Sequence, residues 1–177
     1  MKGVSATDDA EYRAERRQRL TRWIDEYGDA ILRTCYLCLN DAQQAEDAMQ
    51  DTFLKAWNTM ARFEARNGSS EKTWLARIAI NTCRDYQRSR WFRFVDRSRP
   101  AEELTSIPAA VTDEERALFL AVKELPLKYK QMILLYYYHD MNLQEIAAAT
   151  RTSAATVHRI LKKARTMLRQ SLTEEGY

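Results

Sequence analysis

Three groups of side chains in this sequence have the types and spacing to do chemistry, and in each case the chemistry is binding. In the first, Arg159, Lys162 and Lys163 follow Ser153, Ala155, Thr156 and His158 on one helical pattern. Small residues first and long cations after them suit a helix that enters the major groove by its N-terminus and then grips phosphates. In the second, Arg77, Asn81, Arg84 and Arg88 recur at helical spacing, so they project from one side. Asparagine and arginine along a groove offer hydrogen bonds to bases and charge for phosphates. In the third, Asp47, Gln50, Asp51 and Leu54 share one stripe, an acidic face with an apolar neighbour. That face suits a basic partner, though alone it also fits an ordinary solvated surface.

Other chemistries find less support. Cys35-Tyr-Leu-Cys38 is a CxxC, and Cys83 adds a third thiol. Both cysteines of the pair lie on an apolar helical stripe, no histidine is near in sequence, and a fourth ligand is not evident. They read as buried core thiols, with no metal and no cofactor. A Gly-rich phosphate loop, a metal-ligand cluster and a nucleophile–base pair are all missing, which argues against an enzyme. His139 reads as a helix-end residue and His158 as a DNA contact.

The 177 residues are 45% hydrophobic and 30% charged, with only 4 Gly and 3 Pro, a globular composition that favours helix almost throughout. Net charge is only +3, but its distribution is uneven. Residues 142–172 carry six bases against Glu145 alone, and residues 84–99 carry six arginines against two acids. Residues 41–51 carry four acids and no base. Two basic blocks and one acidic block imply two polyanion surfaces and one surface for a basic partner. No apolar run approaches a membrane span and no signal-peptide core opens the chain, so the cytoplasm is the expected compartment.

The elements that must position these groups are helices, so the fold class expected is all-α, in two small domains joined by a flexible linker. Residues 1–19 are polar and read as a loose arm or a frayed first helix. Leu20, Trp23, Ile24, Tyr27, Ile31, Cys35, Cys38 and Leu39 then form an amphipathic stripe. Asp41 with Gln44 resembles a capping box that opens a second helix, burying Ala45, Met49, Phe53, Ala56, Trp57 and Met60. Residues 63–70 are a loop built on Asn67-Gly68. A third helix runs from about Glu71 to Arg90, with Trp74, Leu75, Ile78, Thr82 and Tyr86 inward. These segments make a first domain over 20–92. Residues 93–111 lose periodicity and read as the linker. A second domain, 112–177, opens with the Thr112/Glu115 capping box. Pro126 then starts a helix packing Tyr129, Met132, Ile133, Tyr136 and Tyr137.

The sharpest local signal lies within 143–162. Asn142 and Glu145 cap one helix and Ser153 caps another. Leu143, Ile146 and Ala147 face Val157 and Leu161 across the turn. This is the pattern of a DNA-binding helix-turn-helix. Two positions depart from it. Arg151 stands where the turn favours glycine, at a left-handed cost of roughly 1 kcal/mol, and Thr152 replaces an apolar turn residue.

A helix-turn-helix alone fits a stand-alone transcriptional regulator, and that reading is the alternative. The string Asp41-Ala-Gln-Gln-Ala-Glu-Asp-Ala-Met-Gln-Asp-Thr-Phe-Leu-Lys-Ala-Trp57 resembles the polymerase-binding helix of sigma-70 family region 2. Thr73-Trp-Leu-Ala-Arg-Ile-Ala-Ile-Asn-Thr-Cys-Arg-Asp-Tyr-Gln-Arg88 resembles the same region's promoter-reading helix. In order and extent, about residues 20 to 172, the chain resembles an extracytoplasmic-function (ECF) sigma factor. The resemblance implies that Asp47, Gln50, Asp51, Phe53 and Leu54 dock on the coiled coil of the largest subunit of core RNA polymerase. It assigns Arg66, Asn67, Arg77, Asn81, Arg84 and Arg88 to the opened minus-10 strand. The loop 65–69 would help hold an unpaired base, and Trp74 would remain core. Ser153, Ala155, Thr156, His158, Arg159, Lys162 and Lys163 would contact duplex DNA at minus-35, while the linker spans the polymerase. Trp91 and Phe92, beside Arg90 and Arg93, would touch DNA or polymerase or close the domain. A cognate anti-sigma factor is also implied.

Overall fold

The computed structural model describes residues 6–64, 70–92 and 112–174, with seven α-helices and no strand among them. The first domain holds α1 (Ala6–Leu39), α2 (Ala42–Glu64) and α3 (Glu71–Phe92). The second holds α4 (Asp113–Glu124), α5 (Leu127–Ile133), α6 (Leu143–Thr150) and α7 (Ala154–Glu174). The linker 93–111, the loop residues Arg66 and Asn67, and the side chains of Arg90, Trp91 and Phe92 lie outside the described residues.

Helix α1 follows its apolar stripe, burying Trp23, Ile31, Cys35, Cys38 and Leu39. Ile24 was expected on that stripe but is 44% exposed, because the larger Trp23 beside it takes the inward direction. The polar segment before Leu20, expected as a loose arm or a frayed first helix, is helical from Ala6. Arg16 lies 4.5 Å from the centre of the Trp57 ring and donates to the Trp57 carbonyl, tying the arm to α2. Asn40 ends α1 in the left-handed region at φ 55°, its N–H donating to the Tyr36 carbonyl at 2.8 Å. Asp41 then accepts from the Gln44 backbone N–H at 2.9 Å. The Gln44 side chain donates back to the Asp41 carboxylate, not to its backbone, so half of the expected capping box forms.

The first domain closes on three aromatic rings. Trp23 and Trp74 meet at 5.3 Å and Phe63 and Trp74 at 4.7 Å, each pair adding about 0.5–1.5 kcal/mol beyond burial. Trp74 is core, as its stripe implied. In the second domain Thr112 and Glu115 form both halves of a capping box. Helix α5 continues into a π-helical turn, Leu134–Tyr138, and beyond it Asp140 takes φ 55°. The wider turn shifts the phase of the side chains it carries. Tyr137 was expected inward and is 54% exposed, whereas His139 is 2% exposed.

The two domains pack against each other. His139 Nε2 and Thr34 Oγ1 are 2.8 Å apart in a buried contact between α1 and the end of the π-helical turn. Lys72 pairs with Asp140, and Lys123 Nζ donates to the Tyr36 hydroxyl at 3.3 Å. The sequence carried no sign of this interface, since its polar contacts join residues 47 to 105 positions apart.

Candidate nucleic-acid interface

The helix-turn-helix is assembled as its capping residues dictate. Asn142 Oδ1 accepts from the Gln144 and Glu145 backbone N–H groups at 3.0 Å, and Glu145 accepts from the Asn142 N–H at 2.8 Å. The turn passes through Arg151 at φ 55°, ψ 48°, and the Arg151 and Thr152 N–H groups both reach the Ala147 carbonyl. The left-handed strain expected at Arg151 is present, and the hydrogen bonds of the turn offset it. Ser153 Oγ accepts from the Thr156 N–H at 3.2 Å and opens α7. Ile146, Ala147, Val157 and Leu161 are buried between the two helices.

That packing leaves Ser153, Ala155, His158, Arg159, Lys162 and Lys163 exposed, with Thr156 half-buried. They lie on the side of α7 opposite Val157, Leu161 and Ala164. A flanking aromatic group was missed. Arg165 Nε donates to the Tyr137 hydroxyl at 2.7 Å, and Lys163 Nζ lies 5.8 Å from the centre of the Tyr129 ring. The run Tyr136-Tyr137-Tyr138 was its only trace in the sequence, and the π-helical turn decides which of these rings faces α7.

On α3 the Arg77, Asn81, Arg84 and Arg88 stripe survives folding, half-buried except for the exposed Arg88. Its far end faces the second domain, where Arg84 Nη2 and Gln131 Oε1 are 3.5 Å apart. On α2 the acidic face is open: Asp47 and Gln50 are exposed and Leu54 is 59% exposed. Asp51 is half-buried and accepts from the Tyr86 hydroxyl at 2.9 Å. Burial first, and then the neighbouring Asp51, push the Tyr86 hydroxyl up to about 12. Phe53 must be taken off this face. It is 5% exposed and packs in the core, because it lies one residue before Leu54 and therefore points about a quarter-turn away.

Cys35 and Cys38 are free and buried, as their stripe implied, and Cys83 is free and buried as well. Contact with the Cys83 thiol and burial both hold Cys35 and Cys38 well above the ordinary thiol range. Among the described residues, no set of three or more His, Cys, Asp or Glu side chains is placed to hold a metal ion. No described helix is long and apolar enough to cross a membrane.

An all-α chain with an open acidic face, an Arg/Asn helix and a helix-turn-helix is what the resemblance to a promoter-reading factor implied. Residues 23–93 match the family model for sigma-70 region 2, and residues 115–168 match that for sigma-70 region 4. The RNA polymerase sigma-E factor of Streptomyces coelicolor is 30% identical over 148 residues, covering 81% of this chain and 80% of that protein. The ECF RNA polymerase sigma factor SigW of Bacillus subtilis is 27% identical over 170 residues, covering 85% and 87%. A probable RNA polymerase sigma factor, RfaY of Xanthomonas campestris, is 30% identical over 145 residues, and the chain spans only 35% of its length. The solved structure of the sigma factor RpoE with the anti-sigma factor NepR from Bartonella quintana has the same fold. It matches with a TM-score of 0.65 at 22% identity, covering 86% of this chain and 97% of that one. The chain belongs to the sigma-70 family, as an RNA polymerase sigma factor of the ECF type.

Proposed function

We propose that the chain binds core RNA polymerase through α2 and directs it to promoters by gripping two DNA elements with its two domains. The observation that carries this reading is the separation of three charged surfaces on one small chain, one acidic and two basic. Asp47, Gln50, Asp51 and Leu54 dock on the basic coiled coil of the largest polymerase subunit. Leu54 supplies apolar contact, while Asp51 is held in place by Tyr86. Salt weakens such a surface without abolishing it, because the leucine is insensitive to screening.

The second domain anchors on duplex DNA at minus-35. Ser153, Ala155, Thr156 and His158 approach base edges and phosphates, and Arg159, Lys162 and Lys163 supply charge further along the groove. The first domain holds the opened minus-10 strand with Arg77, Asn81, Arg84 and Arg88, aided by Arg66 and Asn67. Extruding a base costs a few kcal/mol, which charge and stacking must offset. Duplex opening is therefore favoured by capture of the open form, without covalent chemistry by this chain. Because Arg84 faces Gln131 when the domains are packed together, both elements can be engaged only after the domains part. A cognate anti-sigma factor that holds the domains together, and a cytoplasmic setting, complete the reading.

The test adds the purified chain to core polymerase lacking any specificity subunit and maps transcript starts on a genomic template. A defined set of new start sites is expected. Failure to join the polymerase defeats the proposal, and duplex binding without polymerase would favour a stand-alone regulator.

A further inference from the structure

Where the domains meet, a groove of about 530 Å³ runs between α3 on one side and α5 with the helix-turn-helix on the other. Among the described residues its walls carry three cations, Arg84 and Arg88 from the first domain and Lys128 from the second, and no carboxylate. No described acid pairs with any of the three. Thr152 and Thr156 stand at the same wall, flanking the N-terminus of α7, a 21-residue helix whose first-turn amides and dipole favour negative charge. Gln131 supplies a separate observation: it is 3% exposed, lines the groove, and its Nε2 is buried without a hydrogen-bond partner. An orphaned buried donor costs about 1–3 kcal/mol unless something in its surroundings accepts from it. Three like charges brought together from two domains repel each other, so packing the domains this way is itself opposed.

We propose that this groove binds a small phosphate-bearing anion, which bridges the two domains and holds them together. Its size suits a diphosphate, alone or attached to a nucleoside, within the range of small-ligand sites. The arginines and Lys128 neutralise it from both domains, the threonine hydroxyls and α7 amides donate to its oxygens, and the Gln131 amide gains an acceptor. Closing the domains and binding the anion are then coupled, each favouring the other. On the sigma-factor reading above, the bound anion also competes with the minus-10 strand for Arg84 and Arg88. The binding itself does not depend on that reading.

The experiment titrates the full chain with inorganic pyrophosphate by calorimetry at constant ionic strength, and follows the radius of gyration by small-angle scattering. A nucleoside diphosphate serves as a parallel arm to separate a nucleotide from a bare phosphate ligand. One-to-one saturable binding with a smaller radius of gyration is expected, weakened about tenfold by Lys128→Gln and by Gln131→Met. Neither substitution removes a residue of the polymerase-docking face, so transcription with core polymerase tests the sigma reading separately. Three results would overturn the proposal: no saturable binding, affinity in both variants unchanged from that of the native chain, or the same compaction from chloride at matched ionic strength. Binding of a short single-stranded DNA in the groove without pyrophosphate binding would overturn it as well, and would mark the groove as a strand-binding surface.

Discussion

His139 gives the interdomain contact a pH dependence that can be worked out from its surroundings. Its ring is buried, Nε2 is shared with Thr34 at 2.8 Å, and Nδ1 has no partner. Burial first, and then the cation of Lys72, lower the imidazole from 6.5 to about 4, with Asp140 acting weakly in the other direction. The packed protein thus takes up the proton later than the unfolded chain as acidity rises. Where the unfolded state binds more protons, stability falls as pH falls. The loss begins near the ordinary histidine value, reaches roughly 1 kcal/mol at pH 5.5 and roughly 3 kcal/mol at pH 4.5, and levels off below about 4. His139→Gln keeps a side-chain partner for Thr34 and removes the titration. Urea midpoints of the two proteins, compared from pH 7.5 to 4.5, should therefore diverge, with the native chain losing more. Nuclear magnetic resonance of the His139 ring should place its midpoint well below that of an exposed imidazole. Parallel midpoint curves, or an ordinary His139 titration, would refute the reasoning.

Three other outcomes follow from particular contacts. Asp47→Lys and Leu54→Ala should each weaken association with core polymerase by about 1 kcal/mol or more while leaving the thermal midpoint within a degree or two, as both side chains are exposed; pull-down affinity and calorimetry check the pair. Arg159→Ala and Lys162→Ala should weaken minus-35 duplex binding, and each should reduce the salt slope of the binding constant by about 1 if it contacts a phosphate. Unchanged slopes in fluorescence anisotropy would remove these residues from the DNA interface. Arg151→Gly relieves a left-handed backbone at φ 55°, so it should stabilise the second domain by up to about 1 kcal/mol, less the entropy glycine adds to the unfolded chain. A lower denaturation midpoint in this variant would show that the arginine side chain contributes more than the strain costs.

Helical class, the order of the elements and their caps were legible in the sequence because they rest on local physics. Thr112 with Glu115 and Asn142 with Glu145 set their own helix starts through bonds spanning three residues. The Val157, Leu161 and Ala164 stripe made one side of α7 inward and therefore left Arg159, Lys162 and Lys163 outside. The same periodicity laid out the acidic and Arg/Asn stripes and set Phe53 inside and Leu54 outside, as the packing of α2 does; it was the family resemblance that put Phe53 on the acidic face. Tyr137 was misplaced because a π-helical turn departs from the period on which such counting depends.

What only the tertiary structure decided is how the two domains meet. Thr34 with His139, Lys72 with Asp140 and Arg84 with Gln131 are long-range pairs between helices whose own sequences are complete without them. A stripe read from one helix says which side chains share a face, not what that face meets. For this protein the sequence determined which charged side chains share a face. The packing determined which of them stand open: the acidic face of α2 and the basic face of α7 remain exposed, while the end of the Arg/Asn stripe is turned toward its own second domain.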